Sequence, residues 1–213
     1  MEVNNSNHLI VLLGYREVKE MDLEKNLIKD SNVSDELANL KNINELDNNI
    51  SFIEGNLVVS TANEEHVKEI AELWANLATI QQIYAPDRYN FLPEGKDWRA
   101  FVRRKMEKTH NLLLVAHDKN EHEIKGFLYL QAITIPSSNL VLKGVIEDIY
   151  TKPQYRRQDI ASTLLKVSIA WSLKQNIKQL ELISLTRSND LIQFYLRFIK
   201  ESKQDINLDL VTV

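Results

Sequence analysis

Residues 145–165 read VIEDIYTKPQYRRQDIASTLL. Lys143 to Thr151 (KGVIEDIYT) is rich in β-branched and aromatic residues and predicts a strand. Lys152 to Asp159 is a short polar turn. Ala161, Leu164, Leu165, Ser168 and Trp171 then recur on one face of a long helix. A strand that feeds a basic turn and opens a helix has a chemical consequence. The N–H groups at 157–161 point out of the helix start, where the macrodipole favours an anion. Lys152, Arg156 and Arg157 add positive charge within reach. Such backbone amides can hold a pyrophosphate without a Walker loop.

The flanking sequence extends the pattern in both directions. Upstream, Leu57 to Ser60 predicts a short strand, and Thr61-Ala62-Asn63-Glu64 a capping box with Thr61 as N-cap. Val67, Ile70, Ala71, Trp74, Leu77 and Ala78 follow at helical spacing. Pro86 ends that region, and Pro93 opens a second helix through Trp98, Phe101, Val102 and Met106. Asn111 to His117 and Gly126 to Thr134 flank the polar turn Asp118-Lys119-Asn120, which reads as a hairpin. Downstream, Gln179 to Leu185 predicts a strand, Ser188 caps a helix carrying Leu191, Ile192, Tyr195 and Leu196, and Asn207 to Val213 closes as a strand. The order β-α-α-β-β-β-α-β-α-β implies a mixed α/β (α+β) layer fold over residues 57–213. Residues 1–56 are an Asn-rich extension. Glu17 to Ile28 and Asp35 to Leu46 are candidate amphipathic helices within it.

Composition closes off several chemistries. There is no cysteine among the 213 residues, which excludes disulfides, thiolate metal sites and Cys nucleophiles. The 5 glycines stand at 14, 55, 95, 126 and 144, too far apart for G-x-G-x-x-G, Walker A or G-x-S-x-G motifs. A pI near 5.8 argues against nucleic-acid partners. The apolar run Leu9 to Leu13 is far short of the roughly 20 residues of a membrane span, and no basic n-region precedes it. A cytoplasmic protein without membrane or nucleic-acid partners is the expectation. His110, His117 and His122 flank the hairpin without a carboxylate at ligand spacing, so no metal is expected. Trp74, Trp98 and Trp171 read as core residues.

The 145–165 stretch resembles the main motif of the GNAT superfamily of acetyl-CoA-dependent N-acetyltransferases, Gln/Arg-x-x-Gly-x-Gly/Ala after a strand. Here it stands as Arg156-Arg157-Gln158-Asp159-Ile160-Ala161, preceded by Pro153-Gln154-Tyr155 and by the acidic pair Glu147-Asp148. Downstream, Asn189 and Phe194-Tyr195 match the family's Asn-x-x-x-x-Phe/Leu-Tyr signature. The likeness covers about residues 57–213. Ile-Glu-Asp-Ile-Tyr is most similar to the strand of the spermidine/spermine acetyltransferase branch, a hint of amine substrates. The resemblance implies a central mixed, mostly antiparallel sheet flanked by helices, with acetyl-CoA as co-substrate.

It also assigns candidate roles, each beside a plainer alternative. Glu147 would be the base that takes the amine proton, or a solvated carboxylate. Asp148 would steer a cationic acceptor, and on a regular strand it would point to the opposite face from Glu147. Tyr195 would protonate the departing thiolate, or is a core tyrosine. Asn189 would contact the pantetheine arm, or cap its helix. The amides of Arg157, Gln158, Asp159, Ile160 and Ala161 would hold the pyrophosphate with Arg156 and Arg157 beside them, or the two arginines are a solvated pair. Ile149 and Tyr150 would pair with pantetheine through their backbone. The basic and aromatic segment Tyr84 to Arg104 sits where the family carries acceptor-side helices.

Two departures stand out. Asp159 replaces a glycine that lets the backbone approach the phosphates, and the glycine that follows the tyrosine is missing near Phe198-Ile199. The sequence therefore supports an acetyltransferase acting on a small-molecule or protein amine in a ternary complex. A degenerate member that keeps the fold as a binding or regulatory module is the competing class. The acidic, Asn-rich arm is a candidate dimerisation element.

Overall fold

The computed structural model describes residues 50–86, 97–108, 110–135, 141–184, 189–201 and 206–212. The candidate helices before residue 50, Pro93 and Ser188 lie outside the described residues.

The chain enters the sheet at β1 (Ser51–Glu54), which turns through Gly55 into β2 (Leu57–Thr61). This first strand lies inside the segment read as an extension, and Ile50 beside it is buried in the core. Its short, mostly exposed alternation gave little periodic signal. Helix α1 (Val67–Tyr84) and helix α2 (Trp98–Met106) follow. Then come β3 (Asn111–Asp118), β4 (Ile124–Ile135) and β5 (Val141–Thr151). The last part alternates, with α3 (Ile160–Lys174), β6 (Gln179–Ser184), α4 (Asn189–Glu201) and β7 (Asn207–Thr212). The seven strands of the described residues form one sheet in sequence order. Pairs from β1 to β5 are antiparallel, and β5, β6 and β7 run parallel.

The expected cap at Thr61 shifts by two residues. Thr61 stays in β2, pairs with Leu114, and its hydroxyl accepts from the Ile50 N–H at 2.9 Å. Asn63 caps instead: its Oδ1 accepts from the Glu65 N–H at 3.0 Å, and its own N–H donates to His66 Nδ1 at 3.1 Å. Glu64 turns away to an ion pair with Arg103 of α2. Asp97, outside the expected Pro93 start, caps α2 by accepting from the N–H groups of Arg99 and Ala100.

Helices cover both faces of the sheet, which is why Leu112–Ala116 and Ile124–Leu130 are buried without alternation. Val67, Ile70, Trp74 and Val102 pack against Leu113, Val115, Phe127, Tyr129 and Tyr150 on the face of α1 and α2. Ile160, Leu164, Leu165, Tyr195 and Phe198 pack against Leu112, Leu114, Leu128, Leu130 and Ile146 on the other. Trp74 and Trp171 are buried and Trp98 is half-buried against the first core, as their helical spacing implied. The architecture is a mixed α/β fold with a mostly antiparallel sheet between helix layers. No helix among the described residues is long and apolar enough to cross a membrane.

Candidate active site

Two strands that begin paired do not stay paired. β5 and β6 match Lys143 with Gln179, Gly144 with Leu180, Val145 with Glu181 and Ile146 with Leu182, and the pairing stops there. β5 continues from Glu147 to Thr151 bonded to β4 alone, while Ile183 and Ser184 of β6 continue bonded to β7. The strands thus part beyond Ile146. The β6-facing edge of residues 147–151 keeps its backbone donors and acceptors unused in the sheet.

A bulge lies at the same point. Leu130 pairs with Ile146 and Tyr129 with Asp148, which leaves Glu147 as an extra residue in β5. This corrects the expectation of a regular strand with Glu147 and Asp148 on opposite faces. The extra residue reverses the phase, because side-chain direction alternates with a period of two. Ile146 and Ile149 pack on the side of α3 and α4, and Tyr150 packs on the side of α1 and α2. Asp148 faces α1, where Oδ2 accepts from Trp74 Nε1 at 3.0 Å and Oδ1 from Gln81 Nε2 at 2.9 Å. Glu147 also turns to this side, and its Oε2 accepts from Lys105 Nζ of α2 at 3.0 Å. The Lys105 ammonium stands 4.2 Å over the Tyr129 ring, whose hydroxyl accepts from Asn111 Nδ2 at 2.5 Å.

Burial pushes the Asp148 carboxyl above its ordinary value; the hydrogen bond from Gln81 opposes this, and the Glu147 charge adds to it. Burial, then the charges of Glu147 and Asp148, likewise raise the Tyr129 hydroxyl. Tyr195 enters from α4 on the other side and is buried. Burial and the Asp148 charge raise its hydroxyl. Tyr195 and Asp148 therefore lie within electrostatic range although Tyr195 belongs to α4 and Asp148, on β5, faces α1.

The turn into α3 lies at the end of β5. Asp159 adopts φ +55° and ψ +10°, and Arg157 has φ +64°. Both are left-handed conformations, in which glycine is free of a Cβ penalty and Asp is among the residues that tolerate it. The Asp159 side chain is exposed and makes no capping bond, while its carbonyl accepts from the Thr163 N–H at 2.8 Å. That is the first bond of the helical ladder, so the N–H groups of Ile160, Ala161 and Ser162 precede it. Arg156, Arg157 and Gln158 are exposed around them; Arg156 Nε donates to the Thr151 carbonyl at 3.4 Å and Gln158 Nε2 to the Gln154 carbonyl at 3.3 Å. Gly126 of β4 lets this corner close, since a Cβ there would stand 2.6 Å from the Tyr150 carbonyl oxygen and 3.2 Å from Ile160 Cγ2.

A free strand edge that leads to an unbonded helix start can hold an elongated ligand with an anionic end. The free strand edge offers backbone pairing and the α3 start offers N–H groups to phosphate. Two buried hydroxyls without a partner among the described residues, Thr151 Oγ1 and Ser184 Oγ, lie at the ends of the two diverging strands. Asn189 opens α4, and its side chain lies outside the described residues.

The structure thus turns Glu147 and Asp148 to the α1 and α2 side of β5, keeps Tyr195 within electrostatic range of Asp148, and sets Ile149 and Tyr150 on the stretch of β5 that leads to the turn at 156–161. Trp74, Gln81 and Lys105 were missed as site residues. Trp74 carried only a core signal, and Lys105 falls one position past the basic, aromatic segment Tyr84–Arg104. His117 and His122 meet His66, Glu65 and Glu69 around a separate cavity of about 340 Å³ at the start of α1.

Comparisons with known proteins bear on the family and the fold. Residues 77–198, more than half of the chain, match the model of the Acetyltransferase (GNAT) family. Similar folds include a transcriptional regulator from Bacillus halodurans C-125, at 17% identity and TM-score 0.53 over 66% of this chain and 90% of that one. A ribosomal-protein-alanine N-acetyltransferase from Brucella melitensis biovar Abortus 2308 has 16% identity and TM-score 0.51, over 66% of this chain and 89% of its own. A predicted acetyltransferase from Clostridium acetobutylicum, solved with acetyl-CoA, has 15% identity and TM-score 0.51 over 65% and 88% of the two chains. No curated protein matches the sequence. At these identities the neighbours speak for the fold, and the family match carries the assignment: this chain belongs to the acetyltransferase (GNAT) family and is an N-acetyltransferase.

Proposed function

We propose that the chain binds acetyl-CoA in the opening between β5 and β6 and transfers its acetyl group directly to a primary amine. The observation that carries this reading is the coincidence of three features at one place. The sheet parts beyond Ile146, a bulge turns Glu147 and Asp148 to one face, and an unbonded helix start lies below.

Acetyl-CoA supplies an activated acyl group as a thioester. The N–H groups at the α3 start hold its pyrophosphate, with Arg156 and Arg157 beside them. The backbone of Ile149 and Tyr150 pairs with the pantetheine arm, and Asn189, at the start of α4, is the side chain assigned to contact it. Asp159 supports this reading, because it adopts a left-handed turn of the kind glycine favours and holds its carboxylate in solvent. Glu147 accepts the proton of the incoming ammonium. Asp148, tied at both oxygens to Trp74 and Gln81, adds negative charge that favours a cationic acceptor without needing to touch it. Tyr195 keeps its proton because its hydroxyl is buried beside Asp148, and donates to the sulfur as negative charge develops there.

An acceptor of the polyamine type follows from the two carboxylates. A thiol-release assay with acetyl-CoA and a panel of a diamine, spermidine, free amino acids and an N-terminal peptide tests it. Fastest turnover with the diamine and spermidine is expected. Turnover confined to the amino acids or the peptide would remove the polyamine assignment, and turnover with none of them would count against an amine acceptor of this kind.

A further inference from the structure

An acceptor for this chemistry must bring an amine to the base, away from bulk water, at the opening. One amine already meets these demands. Lys105 Nζ donates to Glu147 Oε2 at 3.0 Å and stands 4.2 Å over the Tyr129 ring and 5.5 Å from the Phe101 ring, with its side chain 18% exposed. Its charge acts on Asp148, whose own charge acts on Tyr195, so acid, base and amine share one electrostatic neighbourhood. Other ion-paired lysines use carboxylates elsewhere: Lys125 meets Asp118, Lys143 meets Glu181, and Lys152 meets Glu69 and Glu123.

We propose that Lys105 is itself an acetyl acceptor of this site, so that the chain acetylates its own α2. The inference rests on the acetyl-transfer reading above and adds a modification site to it. One proton of the Lys105 ammonium passes to the Glu147 carboxylate and from there to water. The freed Nζ lone pair attacks the thioester carbonyl, an amide C–N bond forms, and the C–S bond breaks. A second proton from the nitrogen balances the thiolate, which leaves as the thiol after protonation by Tyr195. The products are N-acetyl-lysine, CoA thiol and one released proton, with no oxidant or reductant. The consequence is local. Acetyl-Lys105 has no charge, so the Glu147 carboxylate is released from its internal partner and faces the opening free for an incoming amine.

The test is site-resolved mass spectrometry of the full chain incubated with acetyl-CoA, together with calorimetric titration of acetyl-CoA and a thiol-release assay with added amine. Lys105 should gain one acetyl group at least about tenfold faster than the exposed Lys68, Lys119 and Lys178, at a rate per molecule independent of protein concentration. Glu147→Gln, and separately Tyr195→Phe, should slow acetylation of Lys105 but not of the exposed lysines, while acetyl-CoA still binds. Lys105 left unmodified while an added amine is acetylated would overturn the inference and leave the proposed function standing. Absence of acetyl-CoA binding would overturn both. Modification of Lys105 no faster than of the exposed lysines, or indifferent to both variants, marks uncatalysed acetylation and also overturns it. A rate per molecule that rises with protein concentration would overturn the transfer within one chain.

Discussion

Asp159 shows how one side chain can stand in for a glycine and still leave a mark. Its φ of +55° lies where L-residues pay a steric penalty that Asp tolerates, so the turn survives the exchange. Its exposed carboxylate belongs to the residue next to the N–H groups proposed to hold the phosphates. Asp159→Gly should therefore tighten acetyl-CoA binding about two- to fivefold, and Asp159→Asn should recover most of that gain by removing charge alone. Titration calorimetry at low salt reads both; unchanged affinity would mean that the carboxylate does not act on the phosphates. Tyr195 carries the opposite kind of claim, a role in chemistry without a role in binding. Tyr195→Phe should lower turnover by about 10²-fold and leave the acetyl-CoA Kd within about twofold. Equal turnover would return Tyr195 to the core, where Phe198 lies beside it in the same cluster. Both residues were legible in the sequence as motif positions. What was not legible is their surroundings, because the Asp148–Trp74 bond spans 74 residues and no local pattern announces such a contact.

At the scale of elements, β5 holds the site together. The strand was readable from its β-branched composition, but its bulge was not, since a bulge depends on how β4 pairs with it. That single extra residue sets Asp148 beside α1 in place of α3. Buried there, the Asp148 carboxyl has a raised pKa, from an ordinary 3.8. A folded-state pKa above the unfolded one stabilises the protein at acid pH, and the contribution is lost as pH rises through the raised value. Asp148→Asn abolishes this dependence. The variant-minus-native difference in Tm should therefore grow more positive from about pH 4 to pH 7, as thermal denaturation can show, and a flat difference would contradict it. Gly126 is the second constraint on β5. An alanine there would press on the Tyr150 carbonyl oxygen at 2.6 Å, a backbone atom that cannot swing aside. Gly126→Ala should cost about 1–3 kcal/mol in chemical denaturation and weaken acetyl-CoA binding, because Tyr150 and the α3 start both belong to the site proposed for the cofactor.

For the whole molecule, the alternation of helix and strand periods was enough to place most elements and their order. The parallel turn of the sheet at β6 and β7, and the parting of β5 from β6, are tertiary facts. They arise where α3 and α4 cross between strands, and crossover connections permit parallel neighbours. β1 escaped notice because a four-residue strand, largely exposed, has almost no pattern to read. The glycine-poor composition excluded paired-glycine phosphate loops, and the fold supplies a helix start in their place. The most direct check of this account is calorimetric titration of acetyl-CoA into the full chain. Saturable binding at one site per chain is predicted, with a Kd within about 1 μM–1 mM, the usual span of enzyme KM values. No heat and no saturation at millimolar acetyl-CoA, over several temperatures, would contradict it.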